Sequence, residues 1–314
     1  MTFDLLSRRS VVQRPAACGL DAAVANIGVA FTEITLVDES ARATDLQRQA
    51  ENSALVVGVG FSFRDGGDRS RRRNPDVNFA IIDDAMLDFD TGEPVGDNVA
   101  GLVFAEEQGS FLVGAAAALK STSGKIGFLG GVSGIGLIEK FEAGYIAGAK
   151  AVNPDIEVIS EYISAFPDFA GFESPDQGKE TAAPMYDEGA DIVYAAAGSS
   201  GSGMFQAAAE YSAENDTKVC GASGRLRPVP HRRRQRAGVR PHVDAEACRR
   251  GRVQDHRGAG QRASHRRGRH LRSRRRGRGL LHLRRVCRRH DQLEDFKAKI
   301  ISGEIEVPTD PANA

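Results

Sequence analysis

The chain has 314 residues, of which 41% are hydrophobic and 27% are charged. This length allows two lobes of ordinary domain size, each with its own core. No apolar stretch approaches the ~20 residues of a membrane-spanning helix, which excludes a helical integral membrane protein. The four cysteines (Cys18, Cys220, Cys248 and Cys287) form no CxxC pair, so the sequence indicates neither a zinc site nor a disulfide framework.

The net charge of zero conceals two different compositions. Residues 221–290 contain 24 of the 42 Lys and Arg side chains, all of them Arg, and only three acids. All seven histidines, from His231 to His290, also fall within this window. The rest of the chain holds 18 basic and 39 acidic residues. The sequence therefore joins two dissimilar parts.

From Ala54 to Val219, short β-rich runs alternate with longer helical patterns. The predicted strands are nearly continuously apolar, as in parallel strands covered on both faces. They are Ala54–Val59, Val77–Asp83, Lys125–Leu129, Ile156–Ser160 and Asp191–Ala195. The predicted helices are Glu107–Lys120, Ile138–Val152, Gln177–Glu188 and Gly203–Glu214. This alternation predicts doubly wound parallel sheets.

Ligands of such sheets bind beyond the carboxyl ends of the strands. Two of the loops expected there, Gly130–Gly136 and Gly198–Gly203, are rich in glycine. Neither has the Lys-Ser/Thr of a P-loop or the GxGxxG spacing, so tight strand-to-helix turns are favoured over phosphate binding. Asp83 and Asp84 follow a strand, but adjacent side chains point in opposite directions and do not make a catalytic pair.

A known family becomes recognisable in six segments that follow the family's order. Residues 98–114 (NVAGLVFAEEQGSFLVG) resemble the NV…F.E.QGSFLAG segment of the basic membrane protein family, the purine-nucleoside receptor lipoproteins of ABC importers. The similarity continues through residues 124–131, 140–148, 153–155, 189–193 and 197–208, and the tail 296–308 is similar to the family's C-terminal end.

The resemblance implies a periplasmic-binding-protein type I-like α/β fold with two doubly wound parallel-sheet lobes, one of them incomplete, that close by hinge motion. It divides the chain into a first lobe at 1–121, a second lobe at 122–221, an aberrant segment at 222–290 and a family-like tail at 291–314. The implied function is the substrate-binding component of an ABC importer, which holds a nucleoside, with a purine favoured, between its lobes.

The implied partners are a small-molecule nucleoside and ABC permease subunits, with no specific nucleic acid, catalytic residue, metal or cofactor. Family members sit at the extracytoplasmic face of the plasma membrane through a lipid anchor. No apolar h-region precedes the faintly lipobox-like residues 15–19, so we expect no functional signal and a cytoplasmic location for the chain as written.

Phe205 matches the family aromatic that stacks on the nucleobase. Base–aromatic stacking is worth ~1–3 kcal/mol, and the flanking Gly201 and Gly203 would let a base approach the backbone. Without the family match, Phe205 would be interpreted as a core phenylalanine on an amphipathic helix. These three residues form the first part of the predicted site.

The second part of the predicted site is Glu106, which matches a family carboxylate able to accept hydrogen bonds from ribose hydroxyls. The alternative for Glu106 is an acidic first helical turn that favours the helix dipole. Its neighbour Glu107 is expected to face solvent. Phe61, in the loop after an early strand, is a further candidate for the pocket wall.

Three family motifs are missing: GDxSFND near the N-terminus, and VDSDQ and TSMLKRVD after the Phe205 helix. Read one nucleotide later, the degenerate codons of residues 242–256 permit Thr-Ser-Met-Leu-Lys-Arg-Val-Asp, and those of residues 8–14 permit Asp-Arg-Ser-Phe-Asn-Asp. We therefore hypothesise that residues 5–18 and 222–290 are frameshifted translation, with residues 64–73 as a third, short slip.

An arginine-rich segment with almost no aliphatic periodicity cannot bury enough apolar area to offset its ordering entropy. We therefore expect residues 222–290 to be disordered and ligand binding to be impaired. The alternative functions are nucleic-acid binding through this segment and a nucleotide-dependent doubly wound enzyme. The segment has neither Lys nor interleaved aromatic residues, and the rest of the chain lacks a dinucleotide fingerprint and any histidine.

Overall fold

The computed structural model describes residues 2–8, 23–26, 28–36, 41–88, 90–223 and 276–314. The chain forms two compact units, whose boundary lies between Ala105 and Glu106. The predicted boundary at 121/122 differs because the helix that begins at Glu106 packs within the second unit. The tail, residues 291–314, also belongs to the second unit.

The first unit contains a five-stranded parallel sheet with the order β2-β1-β3-β4-β5. Its strands are β1 (Thr2–Arg8), β2 (Ala30–Leu36), β3 (Leu55–Val59), β4 (Asn78–Ile82) and β5 (Val99–Leu102). Its helices are α1 (Arg42–Ala50) and α2 (Arg64–Arg73). Leu46 of α1 packs with Phe79 and Ile81 of β4 in the core.

Helix α2 lies in the region that we interpreted as a short frame slip. Its buried positions are occupied by Gly66, Gly67, Ser70 and Arg71. The Arg71 guanidinium donates to Asp68 (Nε to Oδ1, 2.8 Å) and to the carbonyl oxygen of Val95. A buried helix face normally carries apolar side chains, so α2 is held by ionic and backbone contacts instead. The slip itself stays a hypothesis.

The second unit contains a four-stranded parallel sheet with the order β7-β6-β8-β9. Its strands are β6 (Lys125–Ser133), β7 (Glu157–Ala165), β8 (Ile192–Ala196) and β9 (Cys220–Ser223). Its helices are α3 (Glu106–Lys120), α4 (Gly136–Val152), α5 (Pro175–Asp187), α6 (Gly201–Glu214) and α7 (Arg276–Ser302). Within the described ranges, no helix combines the length and the apolar character needed to cross a bilayer.

Both faces of the second sheet are covered. Phe128 of β6 faces a core that contains Tyr145 of α4 and Tyr194 of β8. The next residue, Leu129, faces the opposite core, which contains Met185 of α5. Helices on both faces explain why these strands are apolar throughout.

The predicted doubly wound parallel class is confirmed, because in their own strand numbering the first sheet has the order 2-1-3-4-5 and the second the order 2-1-3-4. The strands and helices predicted between residues 54 and 219 are present. Strand β6 continues through Gly130 and Gly131, which we had assigned to a loop. It stays paired with β7 as far as Ser133, and the rings of Tyr162 and Phe172 lie against these two glycines where side chains would otherwise stand.

Helices α3 and α4 pack backbone to backbone. A Cβ on Gly144 would overlap the carbonyl oxygen of Glu107, and one on Gly148 would overlap that of Phe111. Because the helices are this close, Glu107 is buried between them. The expectation that Glu107 faces solvent is therefore wrong.

Part of the segment predicted to be disordered has regular structure. Ala222 and Ser223 lie in β9, and Arg276–His290 lie in α7. Residues 5–8, which we had included in a frameshifted segment, lie in β1. Residues 9–22 and 224–275 lie outside the described residues. They include most of the two segments that we interpret as frameshifted, and most of the arginine-rich segment on which the nucleic-acid-binding alternative depends.

Cys220 is disulfide-bonded, contrary to the expectation from the cysteine spacing. Spacing along the chain does not report which residues meet in space, so this bond had no sequence signal.

Candidate functional site

In the described part of the chain, three loops follow the carboxyl ends of the second sheet: residues 134–135 after β6, 166–174 after β7 and 197–200 after β8. The winding of the sheet reverses between β6 and β8, since successive connections pass to opposite sides of that pair. Ligands of doubly wound sheets bind at this switch point. Ligand-binding side chains are therefore expected at this edge.

Phe205 lies in the first turns of α6, and its ring packs on β9. A Cβ on Gly221 would stand 2.8 Å from Phe205 Cδ1 and Cε1, so the ring rests directly on the Gly221 backbone. Phe205 is only half-buried, against the core that contains Met204. One part of the ring is thus supported and another part is accessible, as base stacking requires.

Gly201 and Gly203 are both buried. A Cβ on Gly201 would stand 3.3 Å from Ala195 Cβ, and one on Gly203 would overlap the carbonyl oxygen of Pro175 in α5. These glycines therefore let α6 pack closely on β8 and on the start of α5. Their packing has a structural reason that does not involve a ligand.

Two further aromatic rings at this edge were not singled out from the sequence. Phe166 follows β7 and is 61% exposed. Its ring meets that of Phe169 edge-on, with 5.9 Å between the ring centroids. Their signal in the sequence is the Phe166-Pro-Asp-Phe169 segment directly after a strand, at a predicted carboxyl edge. They give the β7 side of the edge an aromatic character, whereas Phe205 rests on β9 at the other side of the sheet.

Glu106 lies in the first turn of α3, and its side chain is only 7% exposed. Lys140 of α4 approaches it, with 3.9 Å between Nζ and Oε2. One turn further along α3, the Ser110 hydroxyl lies 3.3 Å from that of Tyr194. Helices α3 and α6 cover opposite faces of the sheet. A single ligand would therefore have to extend across the carboxyl edge to contact both Glu106 and Phe205.

Buried tyrosine hydroxyls lie beneath this edge. The Tyr162 hydroxyl donates to Glu142, whose side chain is also buried. Burial raises the pKa of Tyr162, and the hydrogen bond to Glu142 raises it further. Burial also raises the pKa of Tyr194, to about 12, although its contact with Ser110 acts in the opposite direction. These tyrosines are neutral at physiological pH and serve as hydroxyl donors and packing rings.

In the first unit, Phe61 follows β3 as predicted. Gly60, with φ of 113°, turns the chain at the end of β3 into a 3₁₀ turn that begins with Phe61. The end of β4 carries Asp83, with φ of 68° and a pKa raised by burial. Asp84 is bound by Arg64 (Nη1 to Oδ1, 2.7 Å).

The structure thus brings four of the five predicted residues, Glu106, Gly201, Gly203 and Phe205, into the second unit. Phe61 lies in the first unit. In the part of the chain that the structure describes, no cluster of three or more His, Cys, Asp or Glu side chains has metal-binding geometry.

Two parallel doubly wound sheets, each in its own unit, are typical of periplasmic-binding-protein type I-like proteins. A crystal structure of ABC transporter system solute-binding proteins from Aeropyrum pernix K1 has this fold, with a TM-score of 0.57 and 26% identity. The match covers 71% of this chain and 61% of that chain. The periplasmic-binding-protein type I-like fold predicted from the sequence is confirmed.

The chain belongs to the Bmp family, described as ABC transporter substrate-binding protein PnrA-like, whose model matches residues 19–217. The family recognised from the sequence is confirmed.

Curated relatives agree with this membership. The ABC transporter nucleoside-binding protein BmpA of Lactococcus lactis subsp. cremoris (strain MG1363) is 39% identical over 163 residues, 52% of this chain and 42% of the relative. Basic membrane protein B of Borreliella burgdorferi (strain ATCC 35210 / DSM 4680 / CIP 102532 / B31) is 41% identical over 170 residues, 54% of this chain and 47% of the relative. The chain thus spans less than half the length of these relatives.

Proposed function

We propose that the chain is the substrate-binding component of an ABC importer and that it binds a nucleoside, with a purine base favoured, at the carboxyl edge of its second sheet. The observation that carries this proposal is the seat of Phe205: a half-buried ring, backed by Gly221 of β9, in the helix that starts at the edge where such sheets bind ligands. The name of the Lactococcus lactis relative supports a nucleoside as the ligand class.

Aromatic rings provide the base-binding part of the site in this proposal. Phe205 stacks on the face of the base. The exposed ring of Phe166 and the partly buried ring of Phe169 follow β7, on the other side of the sheet from the Phe205 seat on β9. Stacking is tolerant of the identity of the base because every base has a π-face. These rings therefore select a planar heterocycle and do not by themselves choose among purines.

Glu106 provides the ribose-binding part. A carboxylate with little solvent exposure forms charge-assisted hydrogen bonds with hydroxyl groups, which are roughly twice as strong as neutral ones. Lys140 lies beside it, with 3.9 Å between Nζ and Oε2, and the carboxylate stands in the first turn of α3, where the helix dipole favours negative charge. Gly201 and Gly203 act on the ligand indirectly, since they allow α6 to pack where it presents Phe205. In the first unit, Phe61 remains the proposed wall residue.

The proposed partners are ABC permease subunits, and the proposed working location is the extracytoplasmic face of the plasma membrane, with a lipid anchor. Membership of a family of ABC transporter substrate-binding proteins supports both. The neighbouring genes test them: an ABC ATPase with two permeases is expected beside this gene, and an unrelated set of neighbours would count against the importer assignment.

Isothermal titration calorimetry of adenosine, guanosine and inosine tests the proposed ligand. Each is titrated into the chain as it stands and into a chain whose reading frame is restored in the two proposed frameshifted segments. We expect weak binding by the first and tighter binding by the second. Phe205→Ala removes the stacking ring and is expected to cost ~1–3 kcal/mol, roughly a 5- to 150-fold rise in Kd.

A matched control is Phe296→Ala, which removes a ring that packs on Phe111 in the same unit, away from the carboxyl edge. Its affinity should equal that of the parent chain. Absence of binding with all three nucleosides in both chains would refute the proposal.

A further inference from the structure

The turn Phe169–Phe172 fits between the ends of β6 and β8. The ring of Phe172 lies on Gly131 of β6, where a Cβ would overlap ring carbons. The backbone of Gly171 lies against the Gly131 carbonyl oxygen in the same way. No side chain separates the turn from the strand, so the position of Phe172 is set by direct contact with the sheet.

The carbonyl oxygen of Phe172 holds the loop that follows β8. It accepts hydrogen bonds from Ser199 N (2.9 Å), Ser199 Oγ (2.9 Å) and Ser200 N (3.4 Å). Gly198, with φ of 55°, allows the close approach, because a Cβ there would stand 2.7 Å from the same oxygen. One carbonyl group therefore organises this loop.

That loop leads directly into α6. Ser200 is fully buried, and its Oγ accepts a hydrogen bond from Ser174 N at the start of α5 (2.9 Å). Gly203 lies against the Pro175 carbonyl oxygen. Phe205 follows two residues later, so a displacement of the loop moves the Phe205 ring relative to its seat on Gly221.

We infer that Phe172 is a positioning residue for the binding site: its ring, seated on Gly131, fixes its carbonyl oxygen, which fixes the loop at Ser199 and Ser200 and thereby Phe205. The effect on the ligand rests on the proposed function, in which Phe205 stacks on the base. The effect on Phe205 itself does not, and it is measurable without any ligand.

The absence of tryptophan from the chain allows a direct test. F205W makes a single-tryptophan reporter in the full-length protein, whose emission maximum and acrylamide quenching report the environment of position 205. In this background we expect Phe172→Leu and Gly131→Ala each to shift the emission to longer wavelength and to increase quenching. Phe172→Tyr keeps the ring and should leave both signals unchanged.

Phe296→Leu is the control for general loss of stability. It replaces a ring of the same unit, which packs on Phe111 in α3, with a smaller side chain. It should therefore lower Tm without changing the emission at position 205. If Phe172→Leu does not fold, Gly131→Ala and Phe172→Tyr still decide the outcome, because one displaces the ring and the other retains it. Unchanged emission with a lowered Tm in both displacing variants would overturn the inference.

Adenosine titrations of the same proteins link the inference to binding. A displaced ring loses part of its stacking energy, and we expect Kd to rise on the order of tenfold in Phe172→Leu and Gly131→Ala. If adenosine, guanosine and inosine give no response in F205W with Phe172 intact, in the chain as it stands or in the frame-restored chain, the proposed function fails. In that case the emission measured without ligand still tests whether Phe172 is a positioning residue.

Discussion

Gly144 in α4 lies directly against the carbonyl oxygen of Glu107 in α3, with no space for a side chain between them. The same two helices meet again where Gly148 approaches Phe111 and where Gly114 approaches the carbonyl oxygen of Tyr145. The crossing is therefore built from glycines of both helices. It buries Glu107 and places Glu106 beside Lys140.

Gly144→Ala should destabilise the second unit. The added methyl group meets backbone, which cannot rotate away, so the helices must separate, and overpacking of this kind costs ~1–3 kcal/mol. Urea denaturation followed by circular dichroism measures the effect as a lower midpoint with an unchanged slope.

Gly109→Ala is the matched control, because it lies on the exposed side of α3 and its Cβ would meet nothing within 4 Å. In a helix interior Ala is favoured over Gly by roughly 0.5–1 kcal/mol, so this variant should be slightly more stable than the parent. Equal stability of the two variants would contradict the glycine-mediated crossing.

High pH should unfold the second unit cooperatively. Burial raises the pKa of four tyrosines above the ordinary 10.0: Tyr145, Tyr162, Tyr186 and Tyr194. A raised pKa in the folded state means that the stability is fully present below pH 10 and is lost as the pH rises further. We expect absorbance at 295 nm and helical circular dichroism to change together above pH 10. Gradual ionisation near pH 10 with the helices intact would show that these hydroxyls are not buried.

Asp83→Asn should stabilise the first unit at neutral pH. Burial raises the pKa of this carboxyl group, so its protonated form favours the folded state, and that contribution is lost as the pH rises through the folded-state pKa. Asn is neutral and tolerates the φ of 68° at this position.

Differential scanning calorimetry at several pH values checks this expectation. The Tm advantage of Asp83→Asn should be largest near pH 7 and shrink as the pH falls towards 4. Asp76→Asn, at an exposed position, serves as the control. A variant less stable than the parent at pH 7 would mean that the Asp83 carboxylate contributes favourably to the fold.

The protein should release bound nucleosides without changing them chemically. The proposed site consists of aromatic rings and a single carboxylate, Glu106, which suits binding better than general acid–base chemistry with two partners. Prolonged incubation with adenosine, guanosine and inosine, followed by chromatography, should return each nucleoside intact. Release of free base or ribose that depends on Glu106 would show catalysis and contradict the proposal.

The sequence was sufficient to predict the elements with strong apolar patterns. The runs that became β3, β4, β6, β7 and β8 were recognised because they are nearly continuously apolar, as is typical of parallel strands. The four-residue strands β5 and β9 were not predicted, since Val99–Leu102 and Cys220–Ser223 are too short to show a period. Their pairing with longer neighbours stabilises them, and pairing is not visible in a single sequence.

The proposed site could be predicted only in part from the sequence. Phe205 and Glu106 are predicted through the family segments that contain them, whereas Phe172 has no marker of its own. Its proposed role rests on contacts with Gly131 and Ser199, which are 41 and 27 residues away along the chain. The spacing of Gly144 and Gly148, four residues apart on one helix face, was a signal for the close crossing that buries Glu107.

Saturation-transfer difference NMR with adenosine and the full-length chain tests the central claim most directly, because it detects weak binding and reports which ligand protons touch the protein. We predict the strongest transfer to the base protons H2 and H8, and its loss in Phe205→Ala but not in Phe296→Ala. Transfer that is undiminished in Phe205→Ala, or no transfer to adenosine, guanosine or inosine, would contradict nucleoside binding at the carboxyl edge of the second sheet.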